Sequence, residues 1–96
     1  MNFEQLTYIV EVANAGSLSK AAKKLFITQS AISQSITSLE KELGIKIFTR
    51  SRNGAVPTII GKTVIKKALE TLAKMEEIKM EATADYTSMH GKLRLG

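Results

Sequence analysis

Between Gln29 and Lys41 the chain concentrates short hydrogen-bonding side chains: Gln29, Ser30, Ser33, Gln34, Ser35, Thr37 and Ser38. On a helix advancing about 100° per residue, Ser30, Gln34, Thr37 and Lys41 share one side, with Ser33 and Ser38 on its flanks. Ile32, Ile36, Leu39 and Leu43 form an apolar stripe on the other side. Serine and threonine are mediocre helix formers, so this run carries a propensity cost. A solvated helix face ordinarily carries Lys, Glu and Arg instead. Short polar groups permit close approach to phosphates and base edges, and the amides of Gln29 and Gln34 can bond adenine in a major groove. Further on, Arg50 and Arg52 lie beside Asn53-Gly54, a strong hairpin signal. A hairpin tip there could press guanidinium groups onto phosphates or into a minor groove.

Composition leaves little material for other chemistry. The 96 residues include no cysteine, which excludes disulfides and thiolate metal sites. His90 is the lone imidazole, expected as a solvated residue near a helix end. No nucleophile–base pair, phosphate-binding glycine loop or metal cluster is evident, so no enzymatic activity, metal or cofactor is expected. No apolar run approaches the roughly 20 residues of a membrane span, and the acidic N-terminus is not a signal peptide. The length suits one domain of modest core with an appended helix. The net charge is +5, with seven basic against four acidic residues over 1–58 and seven against five over 59–96. Such a mild excess is compatible with a polyanion partner without proving one.

The elements that must position the polar face are legible in outline. A first helix from about Phe3 to Ala13 starts at Asn2, with Gln5 placed for a capping box. Phe3, Leu6, Ile9, Val10 and Ala13 form its core stripe, and Gly16 ends it. Ser17 caps a second helix to Leu25, whose inward face is Leu18, Ala21, Ala22 and Leu25; the small alanines let the next helix cross closely. A turn of about three residues, Phe26-Ile27-Thr28, follows without the usual glycine. Thr28 caps the third helix, which ends at Gly44. Two helices so joined form a helix-turn-helix pattern, whose second helix can enter the major groove. Ile45 to Thr58 then forms a small ribbon around Asn53-Gly54, and Pro57 confines it to edge strands. Phe3, Phe26 and Phe48 all read as core, leaving no exposed aromatic platform for stacking the bases of single strands or RNA. From Ile59 a long helix carries a heptad seam of Gly61, Ile65, Ala68, Leu72, Met75, Lys79, Ala82, Tyr86 and Met89, which calls for a partner. Gly91 to Gly96 alternates like the start of a strand.

Taken in order, Gly16-Ser17, Ala21-Ala22-x-x-Leu25, Thr28-Gln29-Ser30-Ala31-Ile32-Ser33, Leu39-Glu40-x-x-Leu43-Gly44, Phe48-x-Arg50 and Thr58-x-x-Gly61 closely resemble LysR-type bacterial transcriptional regulators. The resemblance spans residues 1–96. It implies a mainly α, winged helix-turn-helix fold of three helices and a two-stranded wing, followed by a long linker helix. Residues 1–58 would be the DNA-binding domain, 59–89 the dimerisation helix, and 90–96 the entry to an effector-binding domain. By position, Gln29, Ser30, Ser33 and Gln34 match recognition-helix contacts to bases or phosphates, Thr28 the helix cap, and Arg50 and Arg52 the wing. Thr37, on the same helix face, joins the expected DNA-binding set. Ile65, Ala68, Leu72, Met75 and Ala82 are expected to pair two chains. The expected partners are double-stranded DNA, a second copy, a tetramer in the full-length protein, and a small-molecule effector held by the C-terminal domain. A bacterial cytoplasmic, nucleoid-associated location is implied. The rival reading is a protein–protein module that works through the long helix, with the winged helix as scaffold.

Overall fold

A computed structural model of the chain describes residues 1–52 and 54–90, with side chains described as far as residue 84. The order is α1 (Phe3–Ala15), α2 (Leu18–Leu25), α3 (Gln29–Leu43), β1 (Phe48–Ser51), β2 (Gly54–Pro57) and α4 (Ile59–His90). The backbone at His90 is the last turn of α4; its side chain, those of Tyr86 and Met89, and the strand expected after Gly91 lie outside the described residues. Among the described residues no helix is long and apolar enough to cross a membrane.

The capping box at α1 forms as its sequence predicts. Asn2 Oδ1 accepts the Gln5 N–H at 2.8 Å, and Gln5 Oε1 accepts the Asn2 N–H at 3.0 Å. Gln5 does more than cap: its Nε2 donates to the Ser35 carbonyl of α3 at 3.2 Å, fastening two helices across the core. Gly16, at φ +73°, ends α1 as expected, although the helix runs to Ala15, two residues past the expected Ala13. The buried stripe of α1 is Gln5, Ile9 and Val12 together with Val10. Phe3, expected in the core, is instead about half exposed. The stripe is displaced because α2, α3, β2 and α4 all pack on α1, so its burial is not confined to one narrow face. Leu43, at the last turn of α3, is likewise exposed rather than buried.

After α3 the chain turns through Gly44 at φ +70° and enters β1 past a buried carboxylate. Glu40 Oε2 accepts the N–H of Ile47 at 2.8 Å and of Phe48 at 3.3 Å, and Lys46 Nζ lies 3.9 Å from Oε1. Burying a carboxylate is costly unless hydrogen bonds compensate it, and here those bonds satisfy backbone donors at the helix-to-strand crossing. The wing pairs Phe48 with Pro57, Thr49 with Val56, Arg50 with Ala55 and Ser51 with Gly54 in an antiparallel register. Arg52 therefore lies in the turn, and Gly54 opens β2 instead of completing it. The reason for glycine is steric. At φ +133°, a Cβ on Gly54 would lie 2.2 Å from the Gly16 carbonyl oxygen, which also accepts the Ala55 N–H at 3.1 Å.

α4 starts from the same crossing. Thr58 N–H donates to the Ile47 carbonyl at 2.9 Å, while Thr58 Oγ1 donates to the Lys46 carbonyl and caps the Gly61 N–H at 2.9 Å. A Cβ on Gly61 would lie 2.0 Å from the Ile47 carbonyl oxygen, so only glycine lets α4 approach this closely. The helix then runs along α1, burying Ala68, with Val64, Ile65 and Leu72 packed on the core. The core therefore crosses the expected boundary at residue 58. Ala68, expected in a dimer seam, is used up inside the chain at 3% exposure. Replacing Glu40 by Ala should strand two buried N–H groups and cost about 2–4 kcal/mol. Urea unfolding followed by circular dichroism should show a lower midpoint with an unchanged slope.

Candidate nucleic-acid interface

Ser17 Oγ caps α2 by accepting the Lys20 N–H at 3.2 Å. The buried Ala21 and Ala22 leave no bulk between α2 and α3, which lets the two axes cross closely. The glycine-free turn is made by Phe26, which itself adopts the left-handed region at φ 59°. Its N–H bonds back to Lys23, and the Ile27 N–H reaches the Ala22 carbonyl at 3.0 Å, closing the end of α2. Phe26 was expected in the core; at 95% exposure it is fully outside, because the left-handed backbone turns its side chain from the helix pair. Ile27 fills the corner instead, packed against the core. Phe26, with the half-exposed Phe3, therefore presents an aromatic ring to solvent where none was expected. Even so, stacking platforms use several rings on a sheet, and Phe48, the aromatic residue of the wing, is buried.

Thr28 Oγ1 accepts the Ala31 N–H at 3.0 Å and sets the first turn of α3. Ile32, Ile36 and Leu39 are fully buried. Gln29, Ser30, Gln34, Ser38 and Lys41 are exposed on the other side, with Ser33 and Thr37 half-buried. Ser33, Gln34, Thr37, Ser38 and Lys41 line one shallow depression. Thr37, Lys46, Thr49 and Arg50 line a second, between α3 and the wing. No exposed position from Gln29 to Lys41 is acidic, since Glu40 is buried. The structure also gives Arg50 a definite place: its Nη1 donates to Ser33 Oγ at 2.8 Å, bracing the wing against α3. Arg52 is exposed in the hairpin loop.

All eight residues expected at a DNA interface therefore lie on α3, its cap or the wing, contiguous through the Arg50–Ser33 bond. Such an arrangement offers amide and hydroxyl groups that can read base edges, with guanidinium and ammonium groups beside them for phosphates. The five seam residues do not stay together. Ile65, Ala68 and Leu72 pack on the chain's own core, whereas Met75 and Ala82 lie beyond it. The bond from Gln5 to Ser35 and the buried role of Glu40 were not anticipated from the sequence; a polar residue recurring on an otherwise apolar helix face was the available signal. Among the described residues no group of His, Cys, Asp or Glu could hold a metal ion.

Three helices with a helix-turn-helix crossing and a two-stranded wing beside the second of those helices define a winged helix-turn-helix domain. Residues 3–62 match the family model of bacterial regulatory helix-turn-helix proteins, lysR family. The chain belongs to that family, as its DNA-binding domain. It is 35% identical over its whole length to the small neutral protease regulatory protein of Streptomyces coelicolor, covering 29% of that protein. It is 33% identical to the nitrogen assimilation regulatory protein nac of Escherichia coli, covering 32% of it. The chain thus spans about a third of the length of these curated relatives. Among solved structures, the CbnR DNA-binding domain–DNA complex superposes at a TM-score of 0.85, with 31% identity and coverage of 90% of this chain and 99% of that one. The complex of the BenM DNA-binding domain with catB site 1 DNA gives 0.87 at 30% identity, covering 91% and 97%.

The left-handed Phe26 makes one local prediction. Side chains in this region cost roughly 1–2 kcal/mol, and this one buries almost nothing in return. Phe26→Gly should therefore raise stability by about 0.5–1 kcal/mol after its own unfolded-state entropy is counted. Thermal unfolding should show a Tm a few degrees higher.

Proposed function

We propose that this chain binds double-stranded DNA sequence-specifically, as the reading head of a bacterial transcriptional regulator working in the cytoplasm on the nucleoid. The observation carrying this reading is the exposed face of α3 from Gln29 to Lys41, short polar groups and a lysine without an acid, bonded through Ser33 to an arginine of the wing. In this reading α3 enters the major groove, Gln29, Ser30, Ser33, Gln34 and Thr37 face bases or adjacent phosphates, Thr28 approaches the backbone, and Arg50 and Arg52 neutralise phosphates. The DNA complexes of similar domains support it. Because the chain spans about a third of its relatives, control by a small-molecule effector and assembly into tetramers are assigned to the longer protein, through a C-terminal domain entered at residues 90–96.

Dimerisation is proposed from the geometry of α4. The face that buries Ala68 in the core continues along α4 as Met75, Lys79 and Ala82, of which Met75 is half-buried and Lys79 and Ala82 are exposed. A second α4 paired antiparallel would cover it. Such a dimer presents two copies of α3 to half-sites whose centres differ by about 10 base pairs or a multiple. The rival reading, a protein-docking helix with an idle winged helix, predicts that substitutions on α3 leave DNA binding untouched.

Gln34→Ala should cost roughly 1–3 kcal/mol and relax base preference if the amide makes a bidentate contact. Arg52→Ala should weaken binding evenly across sequences and lower the salt slope by about one. Mobility shifts against a random duplex pool, with sequencing of the bound fraction, separate the two; unchanged selection and affinity for Gln34→Ala contradict the base-reading role. Met75 is not among the α4 side chains packed on the core, so in Met75→Glu the fold should survive while pairing is lost. Sedimentation should show a wild-type dimer and a folded Met75→Glu monomer that binds a two-half-site duplex far more weakly than the dimer does. A wild-type monomer at tens of micromolar, binding such a duplex as tightly as the variant, contradicts the pairing role.

A further inference from the structure

The start of α2, the start of α3 and the tip of the wing enclose a polar hollow of about 180 Å³. Ser17, Ser19, Gln29, Arg50 and Arg52 line it, and none of its lining residues is acidic. Three elements far apart in sequence thus present two guanidinium groups, an amide and the three hydroxyls of Ser17, Ser19 and Ser51 around one concavity. The hydroxyls of Ser17 and Ser19 are arranged to donate. Ser17 Oγ already accepts the Lys20 N–H, and it lies 3.0 Å from Ser19 Oγ. One hydroxyl proton closes the serine–serine bond; whichever residue supplies it, the other serine keeps a proton for a third acceptor. Arg50 uses one N–H on Ser33 and has further donors in its fork. Donors that outnumber acceptors beside two fixed positive charges suit an oxyanion.

From this geometry we infer that the hollow seats one phosphodiester of the DNA backbone, held by Arg50, Arg52 and the Ser17–Ser19 hydroxyl pair. The inference rests on the duplex binding proposed above and adds α2 to the interface. Gln29 lines the hollow as the first residue of α3, and Arg50 reaches from it to Ser33, so the seat adjoins the base-reading face. A phosphate held there fixes the depth and register at which α3 enters the groove, which is the general role of backbone contacts.

Ser19→Asp tests the seat, because an acid in the first turn of α2 suits the helix dipole and leaves the fold intact. Lys74→Gln, on the exposed side of α4, changes the net charge by the same amount and serves as control. The probe is the duplex enriched from a random pool by the wild-type chain. Ser19→Asp should lower affinity about tenfold and reduce the salt slope by about 0.9, with Lys74→Gln changing neither. In a methylphosphonate scan of the same duplex, one position per half-site should weaken the wild type and leave Ser19→Asp unaffected. Unchanged affinity and slope for Ser19→Asp, with wild-type binding intact, would overturn the seat and leave the duplex-binding reading standing. A loss in Ser19→Asp with no such position in the scan would overturn its assignment to the DNA backbone. Failure of the wild-type chain to enrich or bind any duplex would overturn both.

Discussion

The backbone of Ile47 is where the working parts of this domain are tied together. Its N–H is held by the Glu40 carboxylate from α3, and its carbonyl accepts the N–H of Thr58 at the threshold of α4. The bare Cα of Gly61 lies against that same carbonyl. The residue itself is fully buried and leads directly into β1. α3, the wing and α4 are thereby fixed to one another through the backbone of one residue. Neither hydrophobic burial alone nor strand pairing would do this, since a two-stranded ribbon is marginal by itself and an apolar contact does not set an angle.

The wing is held at its other end as well. The Gly16 carbonyl, at the turn between α1 and α2, receives the Ala55 N–H, and Gly54 lets the two backbones meet. With Arg50 bonded to Ser33, the ribbon is braced on α3 at its middle and on the α1–α2 turn near its tip. Precision of this kind matters for reading DNA, where a side chain must meet a base edge within hydrogen-bonding distance. The same rigidity extends outward. α4 shares a core with α1 over its first turns, so its direction relative to α3 and the wing is set by packing instead of by a flexible linker.

Much of this was legible in the sequence, for physical reasons. Asn2, Ser17 and Thr28 announce their helices because capping needs their particular side chains, and Gly16 and Gly44 end helices because the left-handed region favours glycine. The polar face of α3 was legible because its apolar stripe of Ile32, Ile36 and Leu39 keeps strict helical spacing. What escaped depended on neighbours not adjacent in sequence. Phe26 was read by its hydrophobicity, but its backbone conformation put it outside. Phe3 lost its place in the core because α1 is surrounded by several elements. The burial of Glu40 is a tertiary fact, visible only once Ile47 and Phe48 are beside it. Gly54 suggested a turn residue, whereas its role is close contact with Gly16. The seam of α4 was read as serving one partner, and the structure divides it between α1 and the open surface.

In the proposed function, α3 and the wing meet duplex DNA while the outer half of α4 remains available for pairing. Titration of the isotopically labelled chain with its selected duplex, followed residue by residue through amide chemical shifts, tests this most directly. The largest changes should fall on residues 28–41, on the wing and at the start of α2, with Leu69 to Ala84 little affected. Changes concentrated along Leu69 to Ala84, with the α3 amides unmoved, would contradict it.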